Sequence, residues 1–123
     1  MSEMRPTGPT NPTLRRLIRK LREEGKKKNV RVWIDLAERL SKPRRRRAEV
    51  NLSHLNRYSE NGETIVVPGK VLAAGKLTKS IKIAAFKFSQ SARKKILSAG
   101  GEAMSIQQLL ERNPGGKNLR IME

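Results

Sequence analysis

Cysteine is absent from all 123 residues, which excludes a disulfide framework and any thiolate metal site. Histidine occurs once, and His54 has no acid or cysteine close to it in sequence, so it reads as a polar surface or cap-adjacent residue rather than a general base. The eleven acids are scattered, and no spacing matches a metal-ligand motif. Neither catalysis nor a metal or other cofactor is expected. Aromatic residues are just as scarce: Trp33, Tyr58, Phe86 and Phe88. Trp33, Phe86 and Phe88 fit core positions, which leaves a half-exposed Tyr58, whereas proteins that grip single strands need stacking platforms. Long apolar runs are missing too. Met1-Ser2-Glu3 leads into none, so neither a secretory signal nor a membrane span is expected. Asn51-Leu52-Ser53 fits the glycosylation pattern only by coincidence, and the expected location is cytoplasmic.

What is abundant is positive charge. Lys and Arg number 28 against 11 acids, a formal net charge of +17. The excess is uneven: residues 1–48 carry +11 and residues 49–123 carry +6. Such a charge repels itself in a compact chain and attracts polyanions over long range. Its sharpest concentration is Lys42-Pro43-Arg44-Arg45-Arg46-Arg47. Guanidinium groups bind phosphate bidentately and stay charged at any relevant pH. A localisation signal is the other reading of such a run.

The first ten residues, rich in Pro, Thr and Gly, read as a flexible arm. Asn11 offers a helix N-cap with Pro12 at the first helical position. Leu14, Leu17, Ile18 and Leu21 then recur at helical spacing as one apolar stripe, with Arg15, Arg16, Arg19, Lys20 and Arg22 over the rest of the surface. Gly25 is expected to end this helix, placing Lys26, Lys27 and Lys28 in a loop. A second helix is expected from about Asn29 to Leu40, burying Val30, Trp33, Ile34, Ala37 and Leu40, with Pro43 as its stop. Residues 11–48 therefore read as a basic helical hairpin with an arginine-rich loop.

Residues 49–123 read as a separate α/β core domain. Val50-Asn51-Leu52 suggests a first strand, and Thr64–Val67, Val71–Ala74 and Ile81–Phe88 suggest others, with Pro68-Gly69 as a type II turn. Ile83 and Ala85 would face one way and Ala84, Phe86 and Phe88 the other, as in a sheet covered on both sides. One unit recurs. A short apolar segment meets Ser53, Ser89 or Ser105, each a candidate helix cap, and a glycine-containing break follows at Asn61-Gly62, Gly100-Gly101 and Gly115-Gly116. The fold class expected is α/β, with an irregular βα repeat behind the N-terminal hairpin.

Gly69 to Lys76 superficially suggests a phosphate-binding loop, but five residues separate the glycines and Leu77 follows the lysine. Lys70 and Lys76 then read as exposed lysines. With few aromatics, folded RNA recognised through its backbone and shape fits better than stacked single strands, and no zinc finger, basic zipper or DNA recognition helix is evident.

The combination of Asn11-Pro12 opening a basic helix, Arg39-Leu40 before the arginine run, Glu49-Val50-Asn51-Leu52-Ser53, and Ile65-Val66-Val67-Pro68-Gly69-Lys70-Val71-Leu72 followed by Gly75 resembles the archaeal and eukaryotic ribosomal protein L-eighteen-e family. The likeness covers nearly the whole chain, and the C-terminal part is also similar to bacterial ribosomal protein L-fifteen. The resemblance implies a domain of irregular β-β-α turns and an archaeal member. It also implies a structural role on the large ribosomal subunit, with its RNA and neighbouring ribosomal proteins as partners and no membrane or small-molecule substrate. The expected RNA contacts are Arg15, Arg16, Arg19, Lys20, Lys26, Lys27, Lys28, Arg31, Lys42, Arg44, Arg45, Arg46, Arg47, Lys70 and Lys76. A DNA-binding or chromatin-compacting protein is the alternative that the charge alone would also suit.

Overall fold

Helix α1 (Pro12–Lys28) begins at Pro12, a position where a missing N–H costs no bond. The computed structural model describes residues 12–42 and 48–123. The expected arm, the Asn11 cap and the Pro43 stop lie outside them. The chain divides into two compact units, residues 1–47 and 48–123.

Contrary to expectation, Gly25 does not end α1, which runs on so that Lys26–Lys28 form its last turn rather than a loop. The stop is Asn29, at φ 57°, and the Val30 N–H closes the end by donating to the Gly25 carbonyl at 2.8 Å, the six-residue closure of a Schellman motif. Gly25 serves close approach instead. A Cβ there would lie 2.6 Å from Ile34 Cγ1 and 3.0 Å from the Val30 carbonyl oxygen.

Helix α2 (Arg31–Leu40) buries Trp33, Leu36, Ala37 and Leu40. These four fall within an arc of about 100° on a helix of 3.6 residues per turn. Ile34 falls about 60° outside that arc and Val30 precedes the helix, so both are half-buried rather than buried as expected, and Leu36 takes the place in the core. The helix ends with the Ser41 hydroxyl donating to the Ala37 carbonyl at 2.7 Å.

The second unit runs β1 (Ala48–Asn51), α3 (Leu52–Tyr58), β2 (Thr64–Leu72), β3 (Lys82–Phe88), α4 (Gln90–Ser98), β4 (Glu102–Ser105), α5 (Ile106–Arg112) and β5 (Leu119–Ile121). The strands form one sheet in the order β1-β2-β3-β4, with every described pairing parallel. β5 shares an edge of β2 with β1. It pairs with residues 64–66, and β1 with residues 69–72. β5 has no counterpart among the expected strands.

Three rows of side chains cross β2, β3 and β4. Ile65, Ile83 and Ala103 form one, and Val67, Ala85 and Ser105 another; between them runs Val66, Ala84 and Met104. The apolar members of the first two rows join a core with Leu55 of α3 and Ala92 and Ile96 of α4. Val66, Ala84 and Met104 are also buried. Helix α5 packs against β3 and β4 and buries Ile106, Leu109 and Leu110. Burial on both faces agrees with the sequence reading.

The expected turn at Pro68-Gly69 is overturned. β2 continues through both residues, and Gly69 does not adopt the positive φ that a type II turn needs at that position. The proline is accommodated because the pairing with β3 shifts register between Val67 and Lys70, while on the other edge β5 ends at Val66 and β1 begins at Gly69. Pro68 therefore sits where neither neighbour requires its N–H. Phe88, in register with Val71, packs on the core of Ile83 and Ala85, not the face of Ala84, and both Phe86 and Phe88 are half-buried.

Two of the three serine caps form. The Ser89 hydroxyl accepts from the Ala92 N–H at 3.2 Å, and Ser105 makes a full capping box with Gln108. Ser53 does not cap, because α3 starts two residues earlier than such a cap would place it, directly off β1, which puts Asn51 at the cap position. The Ser53 N–H instead donates to the Ala74 carbonyl at 3.1 Å. That contact begins the stapling of residues 73–81, the helix-free link between the parallel strands β2 and β3. Asn56 Oδ1 accepts from Thr78 N–H at 3.0 Å, Asn61 Oδ1 accepts from Ser80 N–H at 2.8 Å, and Lys95 Nζ donates to the carbonyls of Ala73 and Gly75 at 2.8 and 2.9 Å. Gly75, at φ +87°, is held so close that a Cβ would meet Ser53 Cβ at 2.3 Å.

Candidate nucleic-acid interface

Helix α1 holds eight cations and two acids in seventeen residues. Its apolar row of Leu14, Leu17, Ile18 and Leu21 is buried, which turns the cations outward. Arg15, Arg19, Arg22 and Lys26 follow one another at steps of four, three and four residues, all exposed. At 1.5 Å per residue they make a row about 16 Å long with neighbours one helical turn apart. A second row of Arg16, Lys20 and Lys27 is interrupted by Glu23.

Like charges one turn apart destabilise a helix by roughly 0.2–0.5 kcal/mol per pair, and little within the unit offsets this. Among the described residues Arg15, Arg16, Arg19, Lys20, Lys26 and Lys27 make no ion pair with an acid. Arg22 Nη2 donates to the Ser41 hydroxyl at 3.3 Å, a neutral partner that orients the guanidinium without neutralising it. Lys28 lies 3.5 Å from Glu24 across one helical turn, an exposed pair contributing about 0–1 kcal/mol. Lys26–Lys28 at the C-terminal turn do complement the helix dipole, but Arg15 and Arg16 near the N-terminus oppose it.

The remaining candidates are dispersed. Arg31 opens α2, and Lys42 follows it at a bend; both are exposed. Arg44–Arg47 lie outside the described residues. Lys70 is half-buried, in register between Glu49 of β1 and Lys87 of β3, so an acid already stands beside it. Lys76 is exposed in the stapled 73–81 link. The structure thus brings the α1 cations together and leaves Lys70 and Lys76 in the second unit.

Several cations outside this set are accounted for within the fold. Arg112 Nη1 meets Glu102 at 2.6 Å, Arg39 meets Asp35 at 3.1 Å, and Arg120 Nη1 meets Glu63 at 3.2 Å. Lys79 Nζ donates to the Ser59 carbonyl at 2.5 Å. Arg93 and Lys94 on α4 are different: both are exposed, with the Arg93 guanidinium 5.1 Å from the Phe88 ring centroid. Sequence reasoning missed this pair, although Arg93-Lys94-Lys95 is as conspicuous a run as Lys26–Lys28. Only the structure separates Lys95, which holds the 73–81 link, from its two neighbours.

Among the described residues no three His, Cys, Asp or Glu side chains are grouped to hold a metal ion, and no helix is long and apolar enough to cross a membrane. His54 is exposed, as read from sequence, and its ring lies against Tyr58.

The architecture is thus that of a basic α/β protein that concentrates unneutralised cations on its N-terminal helix. The family model described as "Ribosomal protein 60S L18 and 50S L18e" matches residues 6–123. Large ribosomal subunit protein eL18 of Methanopyrus kandleri is 51% identical over 123 aligned residues, covering 96% of this chain and 97% of that one. The proteins of the same name from Methanothermobacter thermautotrophicus and Methanoregula boonei are 46% and 50% identical, each over more than nine-tenths of both chains. The chain belongs to this ribosomal protein family, as the sequence resemblance implied.

Proposed function

We propose that the chain is a structural constituent of the large ribosomal subunit that binds folded ribosomal RNA by neutralising its phosphate backbone. It would work beside neighbouring ribosomal proteins, in the cytoplasm, with no chemistry of its own. The observation that carries this reading is the α1 row of Arg15, Arg19, Arg22 and Lys26, four exposed cations without an acidic partner among the described residues. RNA segments that repel one another can pack together when such a row displaces their condensed counterions, and the released ions supply much of the affinity. Arg16, Lys20, Lys27, Lys28, Arg31 and Lys42 extend the same surface chemistry. Arg44–Arg47 are proposed as further contacts on their sequence alone, and Lys70 and Lys76 as lesser ones.

The test compares wild type with a variant carrying Arg15→Gln, Arg19→Gln, Arg22→Gln and Lys26→Gln. Both are titrated against large-subunit ribosomal RNA at several salt concentrations and against duplex DNA at matched salt. Each lost phosphate contact lowers the slope of log K against log salt by about 0.7–0.9, so four contacts flatten it by about 3. An unchanged slope would remove α1 from the interface. Duplex DNA bound as tightly as the ribosomal RNA would favour the chromatin-type alternative.

A further inference from the structure

Tyr58 leaves half of its surface, 50%, open to solvent, and among the described residues only Leu97 is another exposed large apolar side chain. The ring is not carried on a loose segment. Tyr58 is the last residue of α3, and its carbonyl accepts from Arg120 Nη1 at 2.7 Å. Ser59 after it is buried and tied twice: its hydroxyl donates to the Leu55 carbonyl, and its own carbonyl accepts from Lys79 Nζ. One turn back, the His54 ring meets the Tyr58 ring with centroids 4.9 Å apart and planes tilted by 56°. The Arg57 guanidinium carbon lies 5.9 Å from the Tyr58 centroid. Glu63, an acid close by, is engaged by Arg120 at 3.2 Å and accepts from the Glu60 N–H at 3.0 Å.

We propose that Tyr58, with His54 and Arg57 beside it, is a seat for one unpaired nucleobase of RNA. The inference rests on the RNA-binding reading above and adds to it a contact of different chemistry. A half-exposed aromatic ring on a tied segment of backbone offers a π-face on which any base can stack, and arginine beside it adds a cation–π contribution. The tilt of His54 makes a corner with Tyr58, so a base stacked on one ring meets the other at an angle. Folded RNAs present unstacked bases in loops and bulges, and proteins read RNA there. The scarcity of aromatics rules out gripping a long single strand, but a single flipped base needs one seat.

The test measures binding of the full chain to large-subunit ribosomal RNA at several salt concentrations for wild type, Tyr58→Ala and Tyr58→Phe, each checked by a melting curve. Loss of one base stack weakens binding by about 5- to 150-fold. It leaves the salt slope unchanged, because stacking releases no counterions, and Tyr58→Phe stays within about twofold of wild type because it keeps the π-face. If Tyr58→Ala melts early, Tyr58→Leu, which keeps apolar bulk without a π-face, takes its place with the same expectation. Binding by the alanine or leucine variant within twofold of wild type overturns the seat but not the RNA reading. So does an equal loss in Tyr58→Phe, which would point to the hydroxyl. A wild-type chain without salt-dependent affinity for the RNA overturns both.

Discussion

Replacing Gly25 with alanine sets two effects of similar size against each other. In a helix interior alanine is favoured over glycine by about 0.8–1.0 kcal/mol, and Gly25 lies within α1. Against this, the new Cβ would fall 2.6 Å from Ile34 Cγ1, 3.0 Å from the Val30 carbonyl oxygen and 3.2 Å from the Ile34 nitrogen. Carbon atoms pack best about 3.5–4.0 Å apart, so the start of α2 must retreat by roughly 1 Å. The half-buried Ile34 side chain can rotate. The two backbone atoms cannot move as easily, since Val30 is bonded to Gly25 itself and closes α1. Overpacking of this kind costs about 1–3 kcal/mol, and loosening the closing bond adds about 0.5–1.5 kcal/mol. The expected net effect of Gly25→Ala is therefore a destabilisation of about 0.5–3.5 kcal/mol, centred near 2 kcal/mol. Urea unfolding followed by Trp33 fluorescence measures it. In a double-mutant cycle with Ile34→Ala, which removes the closest atom, a coupling of about 1 kcal/mol should appear. A stabilisation of about 1 kcal/mol by Gly25→Ala alone, as for an unobstructed helical glycine, would refute the close approach of α2 to Gly25.

Two further outcomes follow from the caps and the arginine run. Ser105→Ala removes the half of the capping box in which the serine hydroxyl accepts from the Gln108 N–H, leaving the backbone half in place, and should cost about 0.5–2 kcal/mol, whereas Ser53→Ala, with no cap to lose, should stay within about 0.5 kcal/mol; equal losses in urea titrations would contradict the assignment. Replacing Arg44–Arg47 together by alanine should flatten the salt slope of RNA binding by up to about 3 while leaving the melting curve nearly unchanged, and an unaltered slope would assign the run to localisation or protein docking.

The elements were legible wherever one periodic signal dominated. The apolar row of α1 and the serine caps of α4 and α5 could be read directly, as could the two-sided burial of β3. Boundaries failed where a residue answers to a distant neighbour. Gly25 looks like a helix stop but is small because Ile34 approaches it. Pro68-Gly69 looks like a turn, but a register shift on one edge and a change of partner on the other let β2 pass through. Ser53 looks like a cap, yet α3 starts at Leu52 and places it inside the first turn, with its N–H donating to Ala74 of the 73–81 link. β5 was missed because three residues carry no periodicity of their own and become a strand only through pairing with Thr64–Val66. Among the candidate contacts, the α1 cations could be read from helical spacing. The division of labour in Arg93-Lys94-Lys95 could not, since it depends on carbonyls some twenty residues away.

The shared edge of β2 also bears on the nascent chain. β5 pairs with residues 64–66 from positions 119–121, so that half of β2 stays open on one side until those positions have been synthesised. At about 5–20 residues per second the interval is roughly 3–10 s. An open strand edge is a row of unpaired amides and carbonyls on which a second chain can add. During that interval the deterrent is the charge: the part already made carries an excess of +9 at residue 66, rising to +17 by residue 118, and copies so charged repel one another before their edges can meet. The cations would then protect the chain from its own copies before any RNA is bound.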